Sequence, residues 1–177
     1  MAEQTTDIPV PTSDSPENEP TTFDQGAVAL AHLQAFLQTG ELDAQAALES
    51  RNGDNMTLAV SGADAVLLVG QHGQTLDALQ FLLMLMTNKG QGQRLRLMVD
   101  ADGYRARRAQ KLIGFAEDLA VQVSKSGQEA ITDTLNPMER RIIHTALADN
   151  PDVQTYSEGD EPNRYVVVTP RISESGA

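Results

Sequence analysis

The sequence predicts an α+β protein made of two small units. Two observations carry this prediction: segments with helical and with strand periodicity alternate along the 177 residues, and a turn at residues 101–103 divides them. The first unit, residues 23–100, is expected to follow the order α-β-β-α-α-β, and the second, residues 101–171, the order α-β-α-β-β. No internal repeat relates the two units, and the length suits one or two small domains.

Each element of the first unit is predicted by its own pattern. An amphipathic helix ends at Gly40, a turn-forming segment separates two strands, and an apolar helix follows a loop that runs from Gly70 to Gly73. The predicted elements are a helix over 23–39, strands over 42–48 and 56–60, helices over 64–69 and 75–86, and a strand over 94–100.

In the second unit, the sharpest local signal marks the start of a helix. Asn136 suits the N-cap, Pro137 the first helical position, and Glu139 the acidic position of a capping box. The predicted elements are helices over 104–125 and 136–149 and strands over 128–134, 153–157 and 164–169. Residues 1–22 are expected to form a disordered leader, because residues 1–23 carry five acidic residues and no basic one, and residues 172–177 form a tail.

Composition excludes several classes of protein. The sequence has no cysteine, which excludes disulfides and cysteine-based zinc sites. Its longest apolar run, residues 81–86, is far shorter than the roughly 20 residues that span a bilayer, and the N-terminus lacks a signal-peptide pattern. We therefore expect a cytoplasmic protein without membrane insertion.

No pattern of catalytic residues is evident. The sequence contains no Ser/His/Asp arrangement with supporting context, no phosphate-binding loop of the Walker type, and no His/Asp/Glu cluster with metal-ligand spacing. We expect a protein that is not an enzyme, with no catalytic residue, metal or cofactor.

The charge balance argues against the binding of polyanions through bulk electrostatics. Thirteen Lys and Arg residues face 25 Asp and Glu residues, a formal net charge of −12 at pH 7, whereas proteins that bind nucleic acid in this way are usually basic. Basic residues do cluster locally. The clusters are Arg105, Arg107, Arg108 and Lys111, and Arg140 with Arg141. Any nucleic-acid binding should be confined to such sites and modest.

Two sites have the chemistry for such binding. Arg140 and His144 stack across one turn of a predicted helix, and together with Arg141 they are placed on the arc opposite to the apolar residues, where we expect all three to face solvent. The Gly70–Gly73 loop lets the backbone approach a ligand just before a helix N-terminus, which attracts phosphate. Each site also has a plainer interpretation, as a solvated helix face and as a turn between helices.

Several segments resemble the bacterial Jag proteins: residues 68–82, 99–105, 136–144, 156–164 and 166–168. The resemblance covers about residues 24–171 and implies a type II KH domain followed by an R-three-H domain, named for an arginine and a histidine with three residues between them. It matches Gly70, Gln71, His72 and Gly73 to the KH loop, and Arg140 and His144 to the named pair. It further implies an RNA-binding protein linked to cell elongation and division and often encoded beside a YidC-type insertase. The N-terminal Jag domain that many members carry is expected to be absent.

The sequence therefore predicts a protein that binds single-stranded RNA, with single-stranded DNA as an alternative ligand, and acts as a post-transcriptional regulator or RNA chaperone. Arg105, Arg108 and Arg164 are further candidate phosphate contacts, and Tyr156 and Tyr165 candidate stacking groups. The alternative is a protein-interaction adaptor, in which the apolar helix of the KH-like unit recruits another KH-domain protein or forms a homodimer. The uncharged side chains of Gln71 and His72 and the acidic balance favour this alternative.

Overall fold

The protein forms two three-stranded sheets with helices packed on them. The computed structural model describes residues 24–90 and 94–171, so the predicted acidic leader and C-terminal tail lie outside the described residues. The predicted α+β class and the order of elements in both units are confirmed. Within the described ranges, no helix combines the length and the apolar character needed to cross a bilayer.

The first unit has a mixed sheet with its second strand at the centre. The elements are α1 (Gln25–Thr39), β1 (Gln45–Asn52), β2 (Asn55–Ser61), α2 (Ala65–Val69), a short 3-10 turn (Gln71–Gly73), α3 (Gln74–Asn88) and β3 (Arg96–Ala101). Strand β2 is antiparallel to β1 and parallel to β3. Strand β1 begins later than predicted because the chain after α1 first bonds back to that helix, with the Leu42 N–H donating to the Leu37 carbonyl at 3.1 Å.

One face of this sheet carries the core of the first unit. Alternate residues of β2 are buried, as expected for a strand covered on one side. Helices α1 and α3 supply the covering side chains. The fully buried large residues here are Leu33, Leu58, Val60, Leu76 and Val99. Burying one such side chain stabilises a fold by about 1.5–3 kcal/mol, so this layer fixes the positions of α3 and the loop before it.

The second unit has an antiparallel sheet covered by two helices. The elements are α4 (Tyr104–Ser126), β4 (Ala130–Ile131), α5 (Pro137–Ala146), β5 (Val153–Glu158) and β6 (Tyr165–Pro170), and the strand order is β4-β6-β5. Its fully buried core includes Val123, Ile143, Val153, Val166 and Val168.

Two elements of the second unit are shorter than predicted. Strand β4 stops at Ile131 because the next residue, Thr132, accepts the Val166 N–H with its side-chain hydroxyl at 3.0 Å, in place of a regular ladder bond. Helix α5 ends at Ala146 rather than at residue 149, because the chain turns there, with the Asn150 N–H donating to the Leu147 carbonyl at 3.1 Å.

Candidate nucleic-acid interface

The Gly70–Gly73 loop is a tight turn that leads directly into α3. Gly70 and Gly73 have φ angles of 67° and 83°, and His72 lies at 51°, so the chain passes through conformations that glycine adopts with little strain. Gly73 is the N-cap of α3, and within residues 24–90 and 94–171 no side chain caps this end of the helix. The Gln74 N–H donates to the Gln71 carbonyl, so the N–H groups that follow it in the first turn, together with the positive end of the helix dipole, suit an anion. Gln71 and His72 are exposed at the same place.

The two glycines also fit closely against neighbouring side chains. A Cβ atom at Gly70 would lie 2.0 Å from Oγ1 of Thr75, and one at Gly73 would lie 2.8 Å from Cε1 of Tyr104. Tyr104 is the first residue of α4, so the second unit packs directly against the loop. Burial raises the pKa of the Tyr104 phenol, which keeps this ring neutral where it rests on the loop.

Helix α5 begins as the sequence predicts. Oδ1 of Asn136 accepts the Glu139 N–H at 2.9 Å, and Oε2 of Glu139 accepts the Asn136 N–H at 3.2 Å, which completes the capping box beside Pro137. The second oxygen of Glu139 accepts a hydrogen bond from Nε of Arg108 at 2.7 Å. The start of α5 is therefore tied to α4 by a buried carboxylate.

Arg140 is buried, so the prediction that it faces solvent is wrong. Arg140, Ile143 and Leu147 lie on one face of the helix because they are three and four residues apart, and this face packs against the core. Only 7% of Arg140 is exposed. Its guanidinium donates to the Leu135 carbonyl at 2.7 Å and forms an ion pair with Glu161. The arginine predicted to bind phosphate is therefore already neutralised by a carboxylate. The hydrogen bond from Arg140 lowers the pKa of Glu161.

His144 is turned toward β5 and is half-buried, so full exposure of this residue is also a wrong prediction. Its Nδ1 lies 2.7 Å from Oγ1 of Thr155, and its Nε2 lies 2.8 Å from Oγ of Ser157. Burial, followed by the charge of Arg140, lowers the pKa of His144. The imidazole is therefore neutral at pH 7 and contributes hydrogen bonds, not charge.

Arg141 and Arg164 differ in how far they are exposed. Arg141 is exposed, as predicted, and lies beside Met138 and Ile142 on the outer face of α5. Arg164 is half-buried, and its Nε has no hydrogen-bond partner among the described residues. Its charge adds to that of Arg140 in lowering the pKa of Glu161. Glu161 therefore lies between two arginines.

Asp77, in the first turn of α3, joins the two units. Its Oδ1 accepts a hydrogen bond from Nη2 of Arg105 at 2.9 Å, and its Oδ2 accepts one from Nδ2 of Asn136 at 3.0 Å. Arg105 is held further by the Val99 carbonyl at 2.8 Å and by Oε1 of Gln80 at 3.0 Å. One carboxylate thus links the helix after the loop to the N-cap of α5, which fixes the relative position of these two helix starts.

The basic residues of α4 differ in how much of their charge remains available. Arg105 pairs with Asp77 and Arg108 with Glu139, so a phosphate that reached either arginine would compete with a carboxylate. Lys111 is exposed and forms no ion pair within the described ranges. Arg107 is exposed and donates to the Asp102 carbonyl. Two of the four basic residues predicted to form a track along α4 are therefore paired with carboxylates inside the protein.

The structure brings the loop and the start of α5 to one cleft. Its lining includes His72 and Gln74 from the first unit and Asn136, Glu139 and Glu161 from the second. Arg105 and Arg108 border the same region, since they line a neighbouring cavity together with His72. Arg141 lies on a different surface.

Three residues shape this region through contacts that the sequence does not predict: Asp77, Tyr104 and Glu161. Each lies in a segment that resembles the family, but its contact joins positions far apart in sequence; Asp77 and Asn136, for example, are 59 positions apart. Thr155 and Ser157 could have been found, since polar residues at alternate positions of a strand share one face.

Comparison with protein-family models finds two matches. Residues 28–99 match the KH domain of KhpA/KhpB, and residues 110–170 match the R-three-H domain. The first match contains the Gly70–Gly73 loop, and the second contains α5 with Arg140 and His144.

Three similar proteins are each named RNA-binding protein KhpB. The protein from Clostridium symbiosum is 39% identical over 114 residues, which cover 64% of this chain and 51% of that protein. The protein from Streptococcus pneumoniae serotype 2 is 34% identical over 151 residues, covering 84% and 46%. The protein from Bacillus subtilis is 38% identical over 112 residues, covering 62% and 54%. The aligned part of this chain spans about half the length of each relative.

Proposed function

The chain belongs to the family that joins a KH domain of the KhpA/KhpB type to an R-three-H domain, and on this premise we propose that it binds single-stranded RNA and is not an enzyme. The family resemblance in the sequence is thereby confirmed. The observation that carries the proposal is the placement of the loop and the start of α5 at one cleft, bridged by Asp77. A single strand held at one of these elements has the other within reach.

Phosphate binding is assigned mainly to the backbone of the loop. The start of α3 offers N–H groups and a positive dipole end, while neither Gln71 nor His72 is a lysine or an arginine. We therefore expect a small number of phosphate contacts, about two to four, with a salt dependence of roughly −0.7 per contact for single strands. The acidic balance of the chain, −12, agrees with modest affinity.

Arg140 is assigned to phosphate only through exchange of its partner, because Glu161 already pairs with it and a phosphate must replace this exposed carboxylate. Arg164 forms no ion pair among the described residues, and it is assigned to phosphate directly, although the charge of Glu161 lies near it. His144 is assigned a hydrogen-bonding role toward a base or a ribose hydroxyl, in exchange for Thr155 or Ser157. Arg105 and Arg108 would contribute at the edge of the cleft.

Charge changes in the loop test the proposal without disturbing the core. Replacing Gln71 with Lys and His72 with Arg adds two cations at exposed positions, so RNA should bind more tightly and the salt slope should steepen by about 1.4. Replacing them with Glu and Asp should weaken binding. The measurement is fluorescence anisotropy with a labelled oligouridylate of about 12 nucleotides, repeated with the matching DNA to compare the two ligands.

The matched control places the same two charges away from the loop. Gln122→Lys with Gln128→Arg gives an identical change in net charge at exposed positions near the end of α4. If the control pair tightens binding as much as the loop pair, the loop is not the phosphate site. If the unchanged protein binds neither RNA nor DNA at low salt, the proposed function is wrong.

The cellular role is a separate part of the proposal. We infer a post-transcriptional regulator or RNA chaperone, because two modest binding surfaces in one cleft suit transient contact with many single strands. The connection to cell elongation and division, and the cytoplasmic location, rest on the family resemblance. Crosslinking of the protein to RNA in cells, followed by sequencing of the bound RNA, tests whether transcripts for division proteins are enriched.

A second candidate function, a protein-interaction adaptor, is favoured by one surface. Helix α3 buries Leu76, Leu79 and Leu83, yet its opposite face leaves four large apolar side chains more than half exposed: Phe81, Leu82, Leu85 and Met86. Exposed apolar groups in one continuous patch are typical of protein interfaces. The partner would be a second copy of the chain or another KH-domain protein.

Light scattering after size exclusion tests the adaptor hypothesis. A homodimer through α3 should become monomeric on Leu82→Glu with Leu85→Lys, whereas Val66→Glu with Leu67→Lys, at exposed apolar positions of α2, should change nothing. A monomer at every concentration excludes the homodimer. The ratio of absorbance at 260 and 280 nm, before and after nuclease, then shows whether RNA is the bound partner.

A further inference from the structure

A cavity of about 250 Å³ lies between the Gly70–Gly73 loop and the second unit. It is bordered by the loop on one side and by α4 and the segment before α5 on the other. Its lining includes His72, Arg108, Lys111, Phe115, Asp133 and Thr134. Leu112 and Leu135 make much of the remaining wall apolar, so the cavity combines an apolar wall with basic side chains at its edge. This combination suits a ligand with both charge and a flat apolar surface.

Phe115 is the aromatic group of this cavity. The sequence has only four Phe and three Tyr residues and no Trp, yet this ring is 43% exposed. In proteins that bind single strands, exposed aromatic rings beside basic groups serve as platforms on which bases stack. Phe115 has the exposure, and the cavity beside it has the basic groups.

Basic groups line the same stripe of α4. Arg108, Lys111 and Phe115 are three and four residues apart, so they lie along one face of the helix. Arg108 is paired with Glu139, whereas Lys111 forms no ion pair among the described residues. Lys111 is therefore the residue of this stripe with charge available for a phosphate, and Asp133 is the acid that it must outweigh.

We propose that this cavity holds one nucleotide of the bound strand, with its base stacked on Phe115 and its phosphate near Lys111. The proposal rests on the proposed function and adds a third contact between the loop and α5. His72 of the loop lines this cavity, so the loop and the cavity adjoin each other. In this proposal, a strand with one phosphate at the start of α3 continues into the cavity with its next nucleotide.

A single tryptophan provides a direct probe. Because the chain has no Trp, Phe115→Trp places the sole indole at the cavity, and stacking of a base should quench its fluorescence when oligouridylate or oligoadenylate is added. Phe36→Trp is the matched control, since Phe36 is similarly exposed, at 47%, but lies on α1. Absence of quenching in Phe115→Trp, or equal quenching in both variants, overturns the proposal.

Affinity provides the second readout. Phe115→Ala should weaken RNA binding at least about fivefold, while Phe36→Ala should leave it unchanged. Lys111→Gln should reduce the salt slope by about 0.7, and Lys125→Gln, at an exposed position of the same helix, should not. Equal affinities for Phe115→Ala and Phe36→Ala overturn the proposal while RNA binding by the unchanged protein still supports the proposed function. No binding by the unchanged protein overturns both.

Discussion

Replacing Asp77 with alanine should destabilise the protein by loosening the junction between the two units. The change removes one ion pair, to Arg105, and one hydrogen bond, from Asn136. The side chains of Asp77 and Arg105 are 36% and 21% exposed, so solvent screens the pair, and we expect it to contribute about 0.5–1 kcal/mol. The hydrogen bond from Asn136 adds about 1 kcal/mol. The expected loss is therefore about 2 kcal/mol in the free energy of unfolding, measured by urea denaturation.

A double-mutant cycle isolates the part of this energy that links the units. Asn136→Ser keeps an oxygen for the N-cap but removes the Nδ2 donor to Asp77. If the hydrogen bond couples the units, the double variant should lose about 1 kcal/mol less than the sum of the single losses. Additive losses, within about 0.3 kcal/mol, would refute the coupling. Asp118→Ala, at an exposed acid on α4, should change stability by less than about 0.5 kcal/mol.

Three further predictions concern the cleft and its supports. Glu161→Gln removes the carboxylate between Arg140 and Arg164, so RNA should bind more tightly with a steeper salt slope in anisotropy measurements; an unchanged slope, equal to that of Glu158→Gln, would contradict this. The pKa of His144 is lowered by burial, so the unfolded state takes up its proton first, near pH 6.5. Stability should then fall as the pH drops below that value toward the folded pKa, and the loss of melting temperature should be smaller in His144→Gln. Gly73→Ala should cost about 1–2 kcal/mol in thermal unfolding, because φ is 83° and Tyr104 lies 2.8 Å from the added atom. Gly114→Ala, which meets no atom within 4 Å inside α4, should be neutral or stabilising.

The elements that could be predicted from the sequence are those set by local chemistry. The capping box of Asn136 and Glu139 spans four residues, and the Gly70–Gly73 turn is specified by its own glycines, so both follow from short patterns. The alternation of apolar residues along β2 and β3 likewise reports which side is covered. These features place the loop and α5 correctly within their units.

The orientation of α5 could not be predicted in the same way. Apolar residues occupy two adjacent arcs of this short helix, so the pattern does not decide which arc faces the core. The arc that contains Ile143 and Leu147 packs into the core, and Arg140 is buried because it lies on the same arc. Burial of that arginine depends on the Leu135 carbonyl and on Glu161, which lies 21 positions away. No short sequence pattern around Arg140 indicates that Glu161 is its partner.

The contact between Gly73 and Tyr104 has a consequence for how the loop can change over time. Gly73, the second glycine of the loop, is needed for the start of α4 to pack against the loop, whether or not a nucleic-acid strand is ever bound. A descendant that gave up nucleic acid and kept only a protein partner would still be selected to retain this glycine, since an added Cβ would push the two units apart. In this architecture, the presence of the second glycine indicates that the two units pack together at this point. The charge of residues 71 and 72 indicates whether the loop suits a phosphate.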